Sequence, residues 1–313
     1  MLDVATPEPG PGEVLVKVAF AGVNFIDIYL RRGEHATAGK APSLPRILGR
    51  EGAGEVVKLG PGVTDVKLGD RVAWCVSDSA YAEYAVVPAW RLVPVPADVA
   101  LDIACALQLQ GSTAHYLATT TFPLKAGDIA LVHSGAGGVG QLLIQLAKAL
   151  GATVIATVGS DAKAAIAKGR GADHVIVTTR EDFAAKVLDI TKRQGCNVVY
   201  DAVGKDTIAR SIAACRRRGL VALYGAASGA VDSINPLALA EAGSVFFTRP
   251  HLADYMQDAT EVRARANDLF GLLSDGRLKV TIDRVYPLAS ARDAHVALES
   301  RTSAGKLLLK VIA

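Results

Sequence analysis

The chain has 313 residues, which suggests two domains and allows a large core, since half of its residues are hydrophobic. A net charge of +3 and a pI near 8.6 are too mild to argue for nucleic acid as a partner. Four cysteines, Cys75, Cys105, Cys196 and Cys215, form no C-x-x-C pair, which argues against a disulfide framework or a zinc ribbon and fits a reducing cytoplasm. No apolar run reaches the ~18 residues of a membrane helix. The N-terminal Met-Leu-Asp-Val-Ala-Thr-Pro lacks the basic and apolar regions of a signal peptide.

Residues 13 to 97 alternate short apolar runs with Gly and Pro turns. Strands are predicted at Glu13 to Val23, Gly54 to Leu59, Asp70 to Val76 and Tyr81 to Val87, which makes this part β-rich. The stretch Val93-Pro-Val-Pro-Ala97 leads into a helix near Asp98. From about Gly111 the rhythm changes. Strands at 129–133, 153–158, 174–177, 196–200, 219–224 and 244–248 alternate with helical segments. All but the last are continuous apolar runs, as in parallel strands covered on both faces, and together they describe a doubly wound sheet. Arg216-Arg217-Arg218 reads as a helix end, where cations complement the dipole. A helix (254–274), a strand (282–286), a helix (288–299) and the strand Lys306 to Val311 close the chain. A single cofactor domain needs no such tail, so it is expected to fold back onto the first domain.

The most informative stretch is Ile129-Ala-Leu-Val-His133-Ser-Gly135-Ala-Gly137-Gly-Val-Gly140. An apolar strand runs into G-x-G-x-x-G and then into a helix over Gln141 to Leu150. One glycine is needed for the tight turn, one for backbone approach to a pyrophosphate and one for close packing of helix on strand. The helix N-terminus offers free N–H groups to the phosphates. The strand, the helix and the repeated βα units give the motif its weight.

The second strand of this unit ends Thr157-Val-Gly-Ser160, without the carboxylate that accepts the ribose 2′-hydroxyl in NAD enzymes. A 2′-phosphate meets no repulsion there. Ser160 and Lys163 are placed to receive it, with Lys168 and Arg180 in reach, and NADP is favoured over NAD. Asp161 reads as a helix N-cap.

Taken together, Gly22-Val-Asn24-Phe-Ile-Asp27-Ile-Tyr29, Gly69-Asp-Arg-Val72, Tyr81-Ala-Glu-Tyr84, Gly111-Ser-Thr113-Ala-His-Tyr116, Ala136-Gly-Gly-Val-Gly140, Val199-Tyr-Asp201-Ala-Val-Gly204, Arg217-Arg-Gly219 and Thr248-Arg-Pro250 carry a resemblance over nearly the whole chain. The chain resembles the zinc-independent quinone oxidoreductases, the zeta-crystallin-like group of the medium-chain dehydrogenase/reductase superfamily. The fold implied is α/β: a GroES-like β-rich domain, 1–108 with 250–313, and a doubly wound parallel-sheet Rossmann domain, 109–249.

By the same resemblance Asn24, Phe25, Ile26, Asp27, Ile28, Tyr29 and Thr113 line the nicotinamide end, and Gly138 and Val139 take the pyrophosphate. Gly159, Ser160 and Lys163 hold the 2′-phosphate. Ala202, Tyr224, Gly225, Ala226 and Ala227, then Pro250, His251 and Leu252, then Ser300 and Arg301, complete the cofactor site. Asn24, Tyr29, His35 and Thr113 are the candidate catalytic group. Three departures stand out. The family begins about one strand earlier than Met1. Thr178 stands where a tyrosine often helps bind the 2′-phosphate, with Arg180 two residues on. His35 stands where a second substrate-site tyrosine is common.

Zinc alcohol dehydrogenases of the superfamily hold metal with a Cys and a His–Glu pair. The corresponding places here read Val23-Asn24 and Gly49-Arg50-Glu51, and Asn24 and Arg50 are poor zinc ligands. Without a Lewis acid an alcohol has nothing to lower its hydroxyl pKa, so alcohol oxidation is disfavoured. A quinone stabilises the incoming charge on its own oxygens. The expected activity is zinc-independent hydride transfer from NADPH to a quinone, in the cleft between the domains of a cytoplasmic homodimer. The alternatives are an NADPH-dependent reductase of enones or acrylates, and a protein that binds NADPH or RNA without catalysis.

Overall fold

A computed structural model of the chain describes residues 2–33 and 45–311. The chain divides into two compact units, Met1–Ser112 with Tyr255–Leu272 and Val280–Ala313, and Thr113–Asp254 with Leu273–Lys279.

In chain order the first unit opens with β1 (Glu13–Val23), α1 (Phe25–Arg32), β2 (Glu51–Leu59), β3 (Arg71–Cys75), β4 (Tyr84–Pro88), β5 (Val93–Pro94) and α2 (Leu101–Tyr116), whose last turn enters the second unit. The second unit carries β6 (Ile129–Val132), α3 (Gly138–Ala149), β7 (Thr153–Val158), α4 (Asp161–Gly169), β8 (His174–Val177), α5 (Phe183–Ile190), β9 (Cys196–Asp201), α6 (Ile208–Ala213), β10 (Cys215–Leu223), α7 (Pro236–Glu241) and β11 (Phe246–Thr248). Then come α8 (Ala259–Ser274), β12 (Ile282–Pro287), α9 (Ala291–Glu299) and β13 (Lys306–Lys310).

The described strands of the first unit form a seven-stranded sheet ordered β12-β13-β1-β2-β3-β5, with β4 also on β1. The C-terminal tail does fold back: β13 lies antiparallel to β1, with Val23 opposite Leu307. β2 lies antiparallel on the other side of β1, with Ala21 opposite Gly52. The end of β1 and the starts of β2 and β13 therefore meet at one place. Val14, Val16, Val18, Trp74, Val87 and Leu309 are buried in the core behind it.

The second unit holds a six-stranded parallel sheet ordered β11-β10-β9-β6-β7-β8. Runs such as Val154 to Val158 are buried along their length because helices cover both faces. β6 leads to β7 on one side while β9 lies on the other, so the strand order reverses between β6 and β9. In open α/β sheets the ligand crevice lies at the C-terminal ends of such a pair.

Three expectations need correction. Helix α3 begins at Gly138 rather than Gln141, because Gly137 already has the extended backbone of an N-cap. Arg216-Arg217-Arg218 belongs to the start of β10 and not to a helix end. Helix α6 stops at Ala213, and the arginines sit in an irregular stretch before the register with β9 resumes at Leu220, with Arg218 at φ 53°. The N-cap of α4 is Ser160, while Asp161 is the first helical residue.

Candidate active site

Where β1, β2 and β13 converge, three polar side chains are buried together. The Lys306 ammonium ion-pairs with Glu51 and donates to Asn24 Oδ1 at 2.7 Å. The Asn24 amide donates to Glu51 Oε2 at 2.8 Å, and the Leu109 N–H to Glu51 Oε1 at 2.6 Å. Glu51 is 0% and Lys306 1% exposed. Such a pair survives burial because each charge has an opposite charge and further hydrogen bonds. Gly22 explains how the carboxylate fits: a Cβ there would stand 1.9 Å from Glu51 Oε2.

Asn24 also starts α1. Its N–H donates to Asp27 Oδ2 at 2.9 Å, so Asp27 caps the helix N-terminus from inside. Asp27 is 0% exposed, and among the described residues its Oδ1 has no hydrogen-bond partner. The Tyr81 hydroxyl donates to Oδ2 at 3.2 Å. Burial pushes the Asp27 carboxyl up to about 7, against the opposing pull of the Asn24 N–H, Lys306 and Tyr81. Successive helical residues are turned by about 100°. Asp27 and Ile28 thus lie on the buried face, while Phe25, Ile26 and Tyr29 remain half-buried on the other.

In the second unit the glycine turn follows β6. The left-handed residue of the turn is Ser134, at φ 55°, rather than a glycine. A Cβ on Gly135 would meet Ala156 of β7 at 2.9 Å, and one on Gly140 would meet the Ser134 carbonyl at 2.2 Å. These two glycines let helix and strands close up. Gly138 and Val139 sit half-buried in the first turn of α3, where N–H groups lack partners within the helix. Beneath the turn His133 is fully enclosed: Nδ1 lies 2.8 Å from Thr157 Oγ1 and Nε2 3.0 Å from Ser211 Oγ. Burial holds its pKa below the usual histidine range.

At the ends of β7 and β8, paired Val158 to Val177, lie Gly159, Ser160 and Thr178, all exposed. Among the described residues a Cβ on Gly159 would meet nothing within 4 Å, so the space they leave beside it is open. Ser160 Oγ accepts from the Lys163 N–H at 3.4 Å, and the Thr178 hydroxyl donates to the Val158 carbonyl at 3.2 Å. Arg180 grips Asp161 with two bonds, 2.8 and 2.7 Å.

Residues 10–97 match the alcohol dehydrogenase GroES-like domain family, and residues 138–261 the zinc-binding dehydrogenase family. A quinone oxidoreductase of Pseudomonas aeruginosa is 41% identical over 308 residues, 98% of this chain and 94% of that protein. The chain belongs to the quinone oxidoreductase family. A 2-haloacrylate reductase of a Burkholderia species is 39% identical over 98% of this chain and 93% of its own length. The crystal structure of Escherichia coli quinone oxidoreductase complexed with NADPH is 39% identical, with a TM-score of 0.95 over 99% of this chain and 95% of that one.

The metal that one of these family names implies does not fit the residues at the corresponding places. The Asn24 amide is committed to Glu51 and Lys306, the Glu51 carboxylate is paired with the buried ammonium, and Arg50 Nε lies 3.0 Å from Asp78 Oδ1. Among the described residues no three His, Cys, Asp or Glu side chains come together as a ligand set.

The remaining candidates fall as follows. Thr113 is buried in α2; Ala202, Tyr224, Gly225, Ala226 and Ala227 are half-buried past the ends of β9 and β10. Pro250 is buried, Leu252 half-buried and His251 exposed; Ser300 and Arg301 are exposed just after α9. His35 lies outside the described residues. Of the nicotinamide-end candidates, Asp27 and Ile28 face the interior, 0% and 1% exposed. Sequence reading missed Glu51, Lys306, Tyr81 and His295. One signal was available: a lysine opening the apolar strand Lys306-Leu-Leu-Leu-Lys310, which requires a buried partner.

Proposed function

We propose that the chain is an oxidoreductase that reduces quinones with NADPH and without zinc. Identity near 40% to quinone oxidoreductases along almost the whole chain carries the reading. The first turn of α3 and the open, carboxylate-free end of β7 support the cofactor, since they suit a pyrophosphate and a 2′-phosphate. Bound NADPH supplies the hydride.

The chain's own residues bind and orient. Gly138 and Val139 hold the pyrophosphate; Gly159, Ser160, Lys163 and Thr178 hold the 2′-phosphate. Ala202, Tyr224 to Ala227, Pro250 to Leu252, and Ser300-Arg301 flank the cofactor. Thr113 and the half-buried face of α1, with Phe25, Ile26 and Tyr29, serve the nicotinamide and substrate. Asn24 acts through position: both its amide atoms are held by Lys306 and Glu51, which fixes the start of α1. A quinone takes up a hydride and one proton and spreads the charge over its own oxygens. Orientation therefore supplies most of the catalysis. We assign the substrate function to 1–108 with 250–313 and cofactor binding to 109–249.

The 2-haloacrylate reductase relative favours a second reading, reduction of an activated carbon–carbon double bond. NADPH oxidation measured across quinones, enones and acrylates separates the two. Quinones should show the highest kcat/KM; an enone or acrylate far ahead of every quinone would give the second reading its place. We further propose a cytoplasmic homodimer formed through β11, an edge strand whose Phe246 is 63% exposed. Among the described residues no helix is long and apolar enough to cross a membrane. Light scattering should give twice the chain mass at micromolar concentration, and a monomer mass would refute the dimer.

A further inference from the structure

Asp27 is more than a helix cap, because a directed chain of hydrogen bonds ends on it. Arg31 of α1 approaches His295 Nδ1 of α9 at 3.1 Å. A guanidinium only donates, so Nδ1 is the acceptor and the ring hydrogen sits on Nε2. Nε2 lies 3.2 Å from the Tyr81 hydroxyl and donates to its oxygen. Tyr81 then spends its own hydrogen on Asp27 Oδ2, 3.2 Å away. Burial and the Arg31 charge hold the His295 pKa down, so the ring is neutral and keeps this tautomer. Glu299, paired with Arg31 at 2.7 Å, anchors the outer end of the chain.

Among the described residues, few charged and titratable groups face Asp27. Lys306 of β13 favours its carboxylate and Glu51 of β2 opposes it, while Tyr81 donates to it. Oδ1 has no partner among them. A carboxylate that is enclosed and that, among the described residues, has one open oxygen and two donors is poised between its charged and neutral forms. Its carboxyl lies at about 7.

We propose that Asp27 is a positioning residue: fed by the Arg31–His295–Tyr81 chain, its charged form holds the Asn24 N–H and so seats α1, and with it Tyr29, for reaction. The proposal rests on the reading that α1 serves the substrate. When Asp27 takes a proton, the charge-assisted bond to Asn24 becomes an ordinary one, and such bonds are roughly half as strong. The first turn of the eight-residue helix then loosens, and Tyr29, about 200° around the helix from Asp27, shifts with it.

The test follows the Asp27 carboxyl carbon and the Tyr29 ring by NMR against pH in the free protein, beside kcat/KM with a benzoquinone. In the wild type the two resonances and the activity should share one midpoint near neutral pH, with activity lost below it. Tyr81→Phe removes a donor to the carboxylate and should raise all three midpoints by roughly half a pH unit or more. Asp27→Asn should leave both the Tyr29 signal and the activity independent of pH across that range. A Tyr81→Phe protein that is merely less stable, with unmoved midpoints, overturns the proposal, as does a Tyr29 signal that ignores the titration of Asp27. A wild type that reduces no quinone would sink the proposed substrate while leaving the coupling of Asp27 to Tyr29 readable in the resonances.

Discussion

Each unit buries a histidine that donates to a hydroxyl, which donates in turn to an enclosed aspartate. In the second unit the series is His133, Ser211, Asp201; in the first it is His295, Tyr81, Asp27. The endings differ. Asp201 collects the N–H groups of Val203 and Gly204 and the hydroxyls of Thr207 and Ser211, spread over both its oxygens. Asp27 receives the Asn24 N–H and Tyr81 on one oxygen and, among the described residues, nothing on the other. A fully bonded carboxylate makes a scaffold, here for the strand ends around the glycine turn. A half-bonded one stays responsive to protons. The same residue types build a fixed support in one place and a titrating contact in the other.

The largest effect should come from the ion pair beside Asp27. Lys306→Met leaves Glu51 charged, enclosed and without its counter-ion, which typically costs about 3–5 kcal/mol. Denaturant unfolding should show this loss, and pairing the change with Glu51→Leu should recover most of it. A single variant as stable as wild type would mean that water reaches the pair.

Stability against pH sharpens the contrast between the two aspartate series. Asp27 has its folded pKa raised from 3.8 to about 7, so between those values the folded protein binds more protons than the unfolded chain. Its contribution therefore falls as pH rises, by about 1.4 kcal/mol per pH unit between pH 5 and 6 and by about half that at pH 7. His133 acts with the opposite sign. Its folded pKa is lowered from 6.5 by burial, so its contribution is complete above 6.5 and is lost as pH falls. Unfolding free energies of Asp27→Asn and His133→Asn, compared with wild type across pH 5 to 8, should isolate the two slopes. An Asp27→Asn curve parallel to the wild type would show that Asp27 is already ionised throughout.

How much of this was legible follows from where the partners sit in the chain. The parallel strands announced themselves as short apolar runs because both faces are covered, and the glycine turn because its residues are consecutive. The arginine triplet misled because a cation after a helix and a cation opening a strand look alike without the register. The Asn24–Glu51–Lys306 cluster left a local signal only in the lysine that opens an apolar strand, and that signal does not say which residues are its partners. Lys306 lies 255 positions from Glu51, and His295 lies 214 from Tyr81. Only the antiparallel pairing of β1 with β2 and β13 brings the first set together. Gly22 belongs to a motif in the sequence, and its physical reason, room for the Glu51 carboxylate, appears only in three dimensions.

A smaller effect concerns the cofactor. Lys163→Ala should weaken NADPH binding by on the order of 1.5–3 kcal/mol while sparing NADH, since only the former carries the 2′-phosphate. Dissociation constants for both cofactors measure this, and equal losses would place Lys163 elsewhere.

The smallest effect belongs to Asp161 and Arg180, where the side chains are 76% and 55% exposed. Pairs this open add little to folding, so Asp161→Ala should leave the unfolding midpoint where it was. Its consequence should lie in recognition. The carboxylate fills the two-pronged fork of Arg180, at 2.8 and 2.7 Å, as a phosphate would. It thereby cancels a cation two residues beyond Thr178, at the edge proposed for the 2′-phosphate. Removing it should tighten NADPH binding and leave NADH binding unchanged. The gain should fade at ~1 M salt, where the screening length falls to about 3 Å. Weaker NADPH binding by Asp161→Ala would mean the reverse, that the carboxylate orients Arg180 toward the phosphate, and Arg180→Ala would then lose affinity to the same degree.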